Sequence, residues 1–299
     1  MILPDFDALR WARACDPATI SSALQRRERR PLLRGDNRLF ILAADHPARG
    51  SLGVRDDEMA MSDRYDLLAR LNEAMRQPGV DGFLGTPDLV EDLAVMGALE
   101  GKIVVGSMNR GGLKSAVFEM DDRFTAYDID GIRDSCLDFA KLLLRINLGD
   151  AGSVNTLAAA ADTISHAAQL KLPIMIEPFM SDWVDGSIRN DLSADSVIKS
   201  IAIASALGAS SAYSWLKLPV VPDMERVMKS TTLPTLLLGG DPQGTSDEIY
   251  DTWERALALP GVHGLVVGRT ILYPLDGDVS SAVERAAQLV HHSNRDASA

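Results

Sequence analysis

Four ionisable side chains stand within or at the ends of apolar runs, where buried strands normally carry hydrophobic residues. They are Lys217 in "AYSWLKLPVV", Lys141 in "AKLLLRIN", Glu177 in "IMIEPFM" and Asp45 in "LAADHP". Any single one of them could be a strand-end residue that extends its charge into water. Burying several charges is costly, however, unless they pair with one another or take part in chemistry. The group as a whole therefore indicates a reactive site.

The two lysines suggest a specific chemistry. A lysine amine attacks a carbonyl carbon only when it is neutral, and both removal from water and a second nearby cation favour the neutral form. Lys217 with Lys141 beside it would be such an arrangement. Glu177 and Asp45 are then candidate groups for the proton transfers of imine formation. We predict Schiff-base chemistry on a carbonyl substrate.

Two glycine-containing segments near the end of the chain predict an anion site. Gly239 and Gly240 lie in "LLLGGD", and Gly268 and Arg269 lie in "VVGRT". Glycines let backbone N–H groups approach an anion closely, and the arginine adds a fixed positive charge. Asp241 follows the first pair and would repel a phosphate, so we interpret it as a helix cap that faces away.

The elements that must position these residues are short apolar runs alternating with helical patterns. The predicted strands are 38–45, 80–85, 102–107, 141–147, 173–179, 212–217, 234–240 and 262–268. Continuous apolar strands covered by helices indicate a parallel sheet, and eight such repeats predict an α/β protein with a (β/α)8 TIM barrel. A doubly wound open sheet is the alternative. In such barrels chemistry takes place at the C-terminal ends of the strands, where the charged residues would meet.

We expect one domain over residues 1–299, with an N-terminal helical extension over 1–37. This extension contains the basic run "LQRRERRPLLR" (24–34). We interpret the run as solvated helix surface that covers one end of the barrel. The segment 180–192, "MSDWVDGSIRNDL", is expected to be a long polar loop that either closes over a substrate or merely decorates the surface.

Composition narrows the classes of partner. The net charge of −12 and the pI of about 4.9 argue against nucleic acid or anionic membranes as partners. Cys15 and Cys136 have no metal-type spacing and suggest no disulfide framework, and no metal or other cofactor is predicted. The absence of a signal-like or membrane-spanning apolar stretch indicates a cytoplasmic protein. We expect a small-molecule phosphorylated sugar as substrate and a homo-oligomeric state.

The sequence resembles the class I aldolases that carry a lysine on the sixth strand, such as tagatose-1,6-bisphosphate, sulfofructose-phosphate and deoxyribose-phosphate aldolases. The similar segments are "AADHPARGSL" at Asp45, "AKLLLRIN" at Lys141, "IMIEPFM" at Glu177, "WLKLPV" at Lys217 and "GLVVGRTIL" at Gly268 and Arg269. They occur in order across most of residues 38–275. The resemblance implies that Lys217 is the Schiff-base nucleophile, Glu177 a proton donor and acceptor, and Asp45 an active-site acid.

The sequence also resembles an actinobacterial (β/α)8 family associated with myo-inositol catabolism. That resemblance implies 5-dehydro-2-deoxygluconate 6-phosphate as a candidate substrate, cleaved to dihydroxyacetone phosphate and malonate semialdehyde. Arg145 and Asn147 stand where the aldolase relatives tend to carry tyrosines, which suggests that Arg145 binds a substrate carboxylate. Arg49 is spaced differently from the relatives' arginine, and we assign it no role.

Two alternative functions remain open from the sequence, and so does the role of one residue, His46. The chain could be a sugar-phosphate-binding or regulatory barrel without turnover, although such a protein needs no lysine nucleophile. A metal-dependent aldolase is a second possibility, against which the shortage of histidines near the strand ends counts. His46 is either a partner of Asp45 or simply a histidine at the end of a strand.

Overall fold

Eight parallel strands follow one another around a closed ring in the computed structural model, which describes residues 4–240 and 245–292. The barrel strands are β1 (Leu39–Ala43), β2 (Gly82–Gly85), β3 (Ile103–Ser107), β4 (Phe139–Ile146), β5 (Ile174–Val184), β7 (Ser214–Pro219), β8 (Thr235–Leu238) and β9 (Val262–Val267). Strand β1 pairs with both β2 and β9, and β4 pairs with β5, so the sheet has no open end within the barrel. The predicted (β/α)8 barrel is confirmed, and the open-sheet alternative is wrong.

Helices surround the barrel and precede its first strand. They are α1 (Phe6–Cys15), α2 (Ala18–Arg26), α3 (Arg64–Met75), α4 (Pro87–Val95), α5 (Ile129–Asp134), α6 (Gly152–Gln169), α7 (Ala194–Ser205), α8 (Met224–Met228), α9 (Ser246–Leu257), α10 (Arg269–Leu272) and α11 (Val279–His292), with a 3-10 turn over Pro47–Arg49. Side-chain caps start several of them: Asp63 accepts two backbone N–H groups at α3, and Thr245 forms a capping box with Glu248 at α9. In the described residues no helix is long and apolar enough to cross a membrane.

Alternation along each strand separates two apolar layers. Residues such as Leu142 and Leu144 of β4 pack outward against the helices, whereas Phe139 of the same strand points into the barrel. Trp215 of β7 lies edge-on to Phe139, with ring centroids 5.7 Å apart, so it fills the barrel interior. The inside of the barrel is therefore packed with side chains up to the level at which the charged residues begin.

The seam between β1 and β9 is unusually close. A Cβ atom on Gly264, whose φ is +143°, would lie 1.9 Å from the carbonyl oxygen of Leu39. A Cβ atom on Gly268 would lie 2.1 Å from the carbonyl oxygen of Ala43. Only glycine fits at both positions, and this requirement fixes how the last barrel strand lies against the first.

The segment 180–192 is not the loop that the sequence suggested. Strand β5 continues to Val184, and β6 (Ser187–Asn190) pairs with it in antiparallel register as a hairpin. The turn residues Asp185 and Gly186 have φ values of +51° and +74°. Two successive positive φ values are characteristic of a tight hairpin turn, for which Asp-Gly is a favoured pair.

The basic run 24–34 is only partly helical, and two of its arginines are buried rather than solvated. Helix α2 ends at Arg26. Beyond it, Arg27 donates to Asp138 at 2.7 Å, and Arg30 forms an ion pair with Asp81. Both acids lie just before barrel strands, so the run covers the N-terminal end of the barrel with ion pairs instead of a solvated helix face.

Candidate functional site

The four predicted charged residues meet at the C-terminal ends of the strands, which we call the mouth. The Nζ atom of Lys217 donates to Oε1 of Glu177 at 2.7 Å. The other carboxylate oxygen, Oε2, lies 2.6 Å from Nζ of Lys141. Lys141 also contacts Oδ2 of Asp45 at 3.2 Å. The four side chains therefore form one continuous chain of alternating charge.

Strand alternation explains why these side chains point inward. On β7, Trp215 and Lys217 are two residues apart and share the inner face, and on β5 Met175 and Glu177 do the same. All four charged residues are buried, and even Glu177 is only 8% exposed. Lys217 therefore does not extend its charge into bulk water.

Two further residues complete the cluster, and the sequence interpretation missed both. Arg110 lies three residues beyond β3 and donates through Nη2 to Oδ2 of Asp45 at 2.5 Å. Ser107, the last residue of β3, donates to the same oxygen at 2.9 Å. One oxygen of Asp45 therefore accepts hydrogen bonds from Arg110, Ser107 and Lys141. The sequence did contain a signal for these two residues. Ser107 is a polar residue at the end of the third predicted strand, and the polar segment "NRGG" (109–112) lies shortly after it.

The cations hold both carboxyl groups in their ionised form. Burial on its own would raise the pKa of Glu177, but Lys141 and Lys217 outweigh it and lower the pKa to about 2. Burial opposes ionisation of Asp45 in the same way, yet Arg110 and Lys141 keep the pKa of Asp45 well below its usual range. At neutral pH both carboxyl groups are therefore ionised.

Burial acts in the opposite direction on the basic groups. It lowers the pKa of Lys141, although Asp45 and Glu177 counteract it. It also lowers the pKa of His46 to about 3, despite the attraction of Asp45, so this histidine is neutral at pH 7. The Nδ1 atom of His46 lies 3.9 Å from Oδ1 of Asp45, which is close enough for electrostatic contact but too far for a hydrogen bond.

The arrangement suits a nucleophilic amine with a built-in proton acceptor. Glu177 lies between two amines, so it can receive a proton from one of them while the other stabilises its charge. When Lys217 becomes neutral, Glu177 loses one of its two neighbouring cations, and its affinity for a proton rises. Proton transfer and nucleophile activation are in this way linked through one carboxylate.

The residues predicted to bind phosphate lie beyond the ends of β8 and β9. Gly239 and Gly240 follow β8, and Gly240 has a φ of +68°. Gly268 precedes α10, where its lack of a Cβ allows the close seam with β1, and Arg269 lies 3.4 Å from the carbonyl oxygen of Gly53. These residues share the barrel end that holds Lys217. Asp241 falls outside the described residues.

Arg145 lies in a second buried charge cluster next to the first. It forms an ion pair with Glu119 and donates to the backbone oxygen of that residue at 2.8 Å. Arg49, to which we assigned no role, is buried beside it, forms an ion pair with Asp122 and donates to the carbonyl oxygen of Gly112 at 2.9 Å. Arg49 therefore has a structural role, because its contacts with Asp122 and Gly112 hold the loop that follows β3 in position.

Among the described residues, no group of three or more His, Cys, Asp or Glu side chains is arranged to hold a metal ion. The two cysteines are not bonded to each other; Cys15 is exposed and Cys136 is partly buried.

Comparison with solved structures places the chain among (β/α)8 barrels. Cgl0159 from Corynebacterium glutamicum is 58% identical over 96% of this chain and 97% of that one, with a TM-score of 0.94. A Schiff-base-forming fructose-1,6-bisphosphate aldolase is 17% identical over 91% of this chain and 99% of its own, with a TM-score of 0.60. The fructose-bisphosphate aldolase from Slackia heliotrinireducens is 14% identical over 99% and 95%, with a TM-score of 0.59. At such low identities the two aldolases show a shared fold.

No curated protein matches the sequence. The model of the Cgl0159-like family matches residues 37–287, which is most of the chain. The chain belongs to the Cgl0159-like family.

Proposed function

We propose that the protein is a class I aldolase that cleaves a carbon–carbon bond of a ketose phosphate through a Schiff base on Lys217. One observation carries the proposal: the buried amine of Lys217 lies 2.7 Å from Glu177, which in turn lies 2.6 Å from Lys141. Lysine, carboxylate and a second cation are the parts that imine chemistry needs. The barrel fold shared with Schiff-base-forming aldolases supports the same chemistry.

Imine formation begins with transfer of a proton from Lys217 to Glu177. The free amine then forms a bond to the carbonyl carbon, and the carbonyl oxygen is protonated and leaves as water. Glu177 is in contact with the attacking nitrogen, so it can return protons to the departing oxygen. The product is a cationic imine, in which the positive charge on Lys217 is restored.

Cleavage uses the imine as an electron acceptor. A base removes the proton from the hydroxyl group on the carbon beyond the bond that breaks, an aldehyde is released, and the bonding electrons form an enamine. Asp45 is held ionised by Arg110 and Lys141, which makes it the candidate base. Protonation of the enamine and addition of water then release the ketone and free Lys217.

Phosphate binding is assigned to Gly239, Gly240, Gly268 and Arg269. They lie after the seventh and eighth barrel strands, the usual phosphate position of this fold. Arg145 as a ligand of a substrate carboxylate stays a prediction, and its ion pair with Glu119 would have to rearrange for that role. The cytoplasmic location and the homo-oligomeric state also stay predictions.

The covalent step can be tested by borohydride reduction in the presence of dihydroxyacetone phosphate, followed by peptide mass spectrometry. We expect a stable adduct on the peptide that contains Lys217. The Lys217→Met variant should give no adduct there, whereas Lys199→Met, which removes an exposed helical lysine, should be labelled normally. A folded wild-type protein that stays unlabelled would rule out the Schiff-base mechanism.

For the substrate, we propose 5-dehydro-2-deoxygluconate 6-phosphate, on the resemblance to the inositol-associated family. The compound carries both a ketone for Lys217 and a phosphate for the glycine segments. A panel of ketose phosphates that includes it can be assayed by coupling released dihydroxyacetone phosphate to its reductase. Cleavage of another member in preference would replace this substrate. Thermal stabilisation by the panel without any product would instead support the binding-protein alternative.

A further inference from the structure

A cavity lies at the opposite end of the barrel from the mouth, and we call this end the base. It has a volume of about 580 Å³. Its walls come from segments that immediately precede β1, β2 and β3, represented by Asp36, Asp81 and Lys102, and from His291 in the last turn of α11. The cavity is therefore separated from Lys217 by the packed interior of the barrel.

Positive charge predominates around this cavity. The basic residues that line it are Arg30, Arg34, Arg76, Lys102 and His291, and the acidic ones are Asp36, Asp81 and Glu100. His291 is charged at neutral pH, because hydrogen bonds to Asp81 and Asp36 raise its pKa to about 9. Five cations against three anions leave a local excess of two positive charges, in a chain whose net charge is −12.

The three acids are already used within the protein. Asp81 pairs with Arg30 and accepts the backbone N–H of Phe40 at 2.8 Å. Asp36 accepts from His291 and from a backbone N–H group. Glu100 accepts the backbone N–H of Glu28 at 2.6 Å. These carboxylates are therefore poorly placed to neutralise the remaining arginines.

Several donors have no acceptor within the described part of the chain. The side chains of Arg34 and Arg76 form no hydrogen bond or ion pair there, and both are exposed at the cavity. Arg30 is more than nine-tenths buried, yet its Nη2 atom also has no hydrogen-bond partner among the described residues. An unpaired buried donor is costly, so a ligand oxygen in the cavity would stabilise this arrangement.

We propose that the cavity at the base binds a small phosphorylated metabolite through its dianionic phosphate group. Guanidinium groups match phosphate oxygens in geometry and charge, and two surplus positive charges match a dianion. The described residues of the lining include no Phe, Tyr or Trp, which argues against a nucleotide base as the main recognition element. Because four separate segments form the walls, the bound anion would hold the N-terminal segment, the barrel base and α11 together.

Isothermal titration calorimetry at constant ionic strength tests the site, with inorganic phosphate and glycerol 3-phosphate as the two probes. The decisive variant is Arg34→Ala/Arg76→Ala, because both side chains are exposed and neither supports the fold through a described contact. Arg123→Ala/Arg226→Ala is the matched control, since it removes two exposed arginines elsewhere. Arg269→Ala removes the proposed phosphate arginine at the mouth.

We expect wild-type protein, the control variant and the Arg269 variant all to bind an anion at the base. Arg34→Ala/Arg76→Ala should weaken binding at this site by about tenfold or more. Arg34→Lys/Arg76→Lys should restore part of the affinity through its charge. Tighter binding of glycerol 3-phosphate than of inorganic phosphate would identify a phosphorylated metabolite as the ligand, and the reverse would identify free phosphate. The proposal is overturned if no anion binds. It is also overturned if the only anion site is lost in Arg269→Ala and has unchanged affinity in Arg34→Ala/Arg76→Ala. It does not depend on the aldolase mechanism.

Discussion

The Lys217 cluster at the mouth and the base of the barrel both contain buried ion pairs, but the acids in these two clusters are held differently. At the base, Asp138 accepts the backbone N–H of Val104 at 2.9 Å in addition to Arg27, and Asp81 accepts that of Phe40. At the mouth, within the described residues, Glu177 and Asp45 accept hydrogen bonds from side chains only.

The difference separates structural charge from reactive charge. A carboxylate bound to a strand N–H group fixes the start of that strand and cannot change partners without local unfolding. A carboxylate bound only by amine, guanidinium and hydroxyl groups can lose or exchange a partner while the backbone stays in place. The same ion-pair chemistry therefore stabilises the fold at the base and leaves protons and side chains free to move in the Lys217 cluster.

Lys217→Met should produce the largest effect at the mouth. Loss of the nucleophile is expected to reduce kcat by at least about a thousandfold, because no covalent intermediate can form. Glu177 would keep Lys141 as a partner, so thermal stability should change little. Steady-state kinetics with a cleaved ketose phosphate, together with a melting curve, would check both points. Activity within tenfold of wild type would contradict the assignment.

Asp138→Ala tests the base. The substitution leaves Arg27 buried without its carboxylate and removes an acceptor for a strand N–H, so we expect a loss of about 3 to 5 kcal/mol of stability. Urea denaturation would measure it. Asp134→Ala, which removes an exposed acid nearby, is the control. The kcat of the folded fraction should be unchanged, and a fall in kcat without a fall in stability would break the distinction between the two ends.

Arg110→Met should have an intermediate effect that depends on pH. Arg110 lowers the pKa of Asp45, so its removal should raise that pKa. The acid limb of the kcat/KM profile should then move to higher pH, if Asp45 is the base. Arg110→Lys should move it back towards wild type. An unchanged acid limb would show that Asp45 takes no part in proton transfer.

His291→Gln should have the smallest effect. The folded pKa of about 9 lies above the unfolded value of 6.5, so the stability that His291 contributes is complete below about pH 6.5 and is lost as the pH rises towards 9. The difference in urea stability between wild type and variant should therefore shrink from pH 6 to pH 9.5. His166→Gln, at a partly exposed position on α6, is the comparison variant. A difference that stays constant with pH would contradict the charge on His291.

Much of the barrel could be predicted, because a strand that is buried on both faces must be apolar throughout. Each predicted run overlaps an observed barrel strand, although the fourth begins at Phe139, two residues early, and the sixth extends to Pro219. The hairpin 180–192 was missed even though Asp185-Gly186 is a typical hairpin turn. Polar residues on both sides of that turn hid the strand pattern, since the hairpin lies outside the core.

The structure brings together the four charged residues that the sequence singled out in apolar runs, and it adds Ser107 at the end of β3 and Arg110 beyond it, which the sequence interpretation missed. Lys141, Glu177 and Lys217 lie on strands whose inner face follows from alternation. Arg110 lies beyond the end of β3, so its position depends on a loop path that no periodicity reveals. Arg145 was expected at the mouth from its place on the fourth predicted strand, but its partner Glu119 lies 26 residues earlier in the chain and could not be identified from the sequence.

The seam between β1 and β9 has a consequence for synthesis of the protein. The first barrel strand begins at Leu39, and its neighbour β9 is complete only at Val267, so the ring cannot close until all of residues 39–267 have left the ribosome. Pairing over such a separation in sequence is slow. Until then the inner faces of the early strands, with their unpaired ammonium and carboxylate groups, would be open to water, and the nascent chain is expected to depend on chaperones.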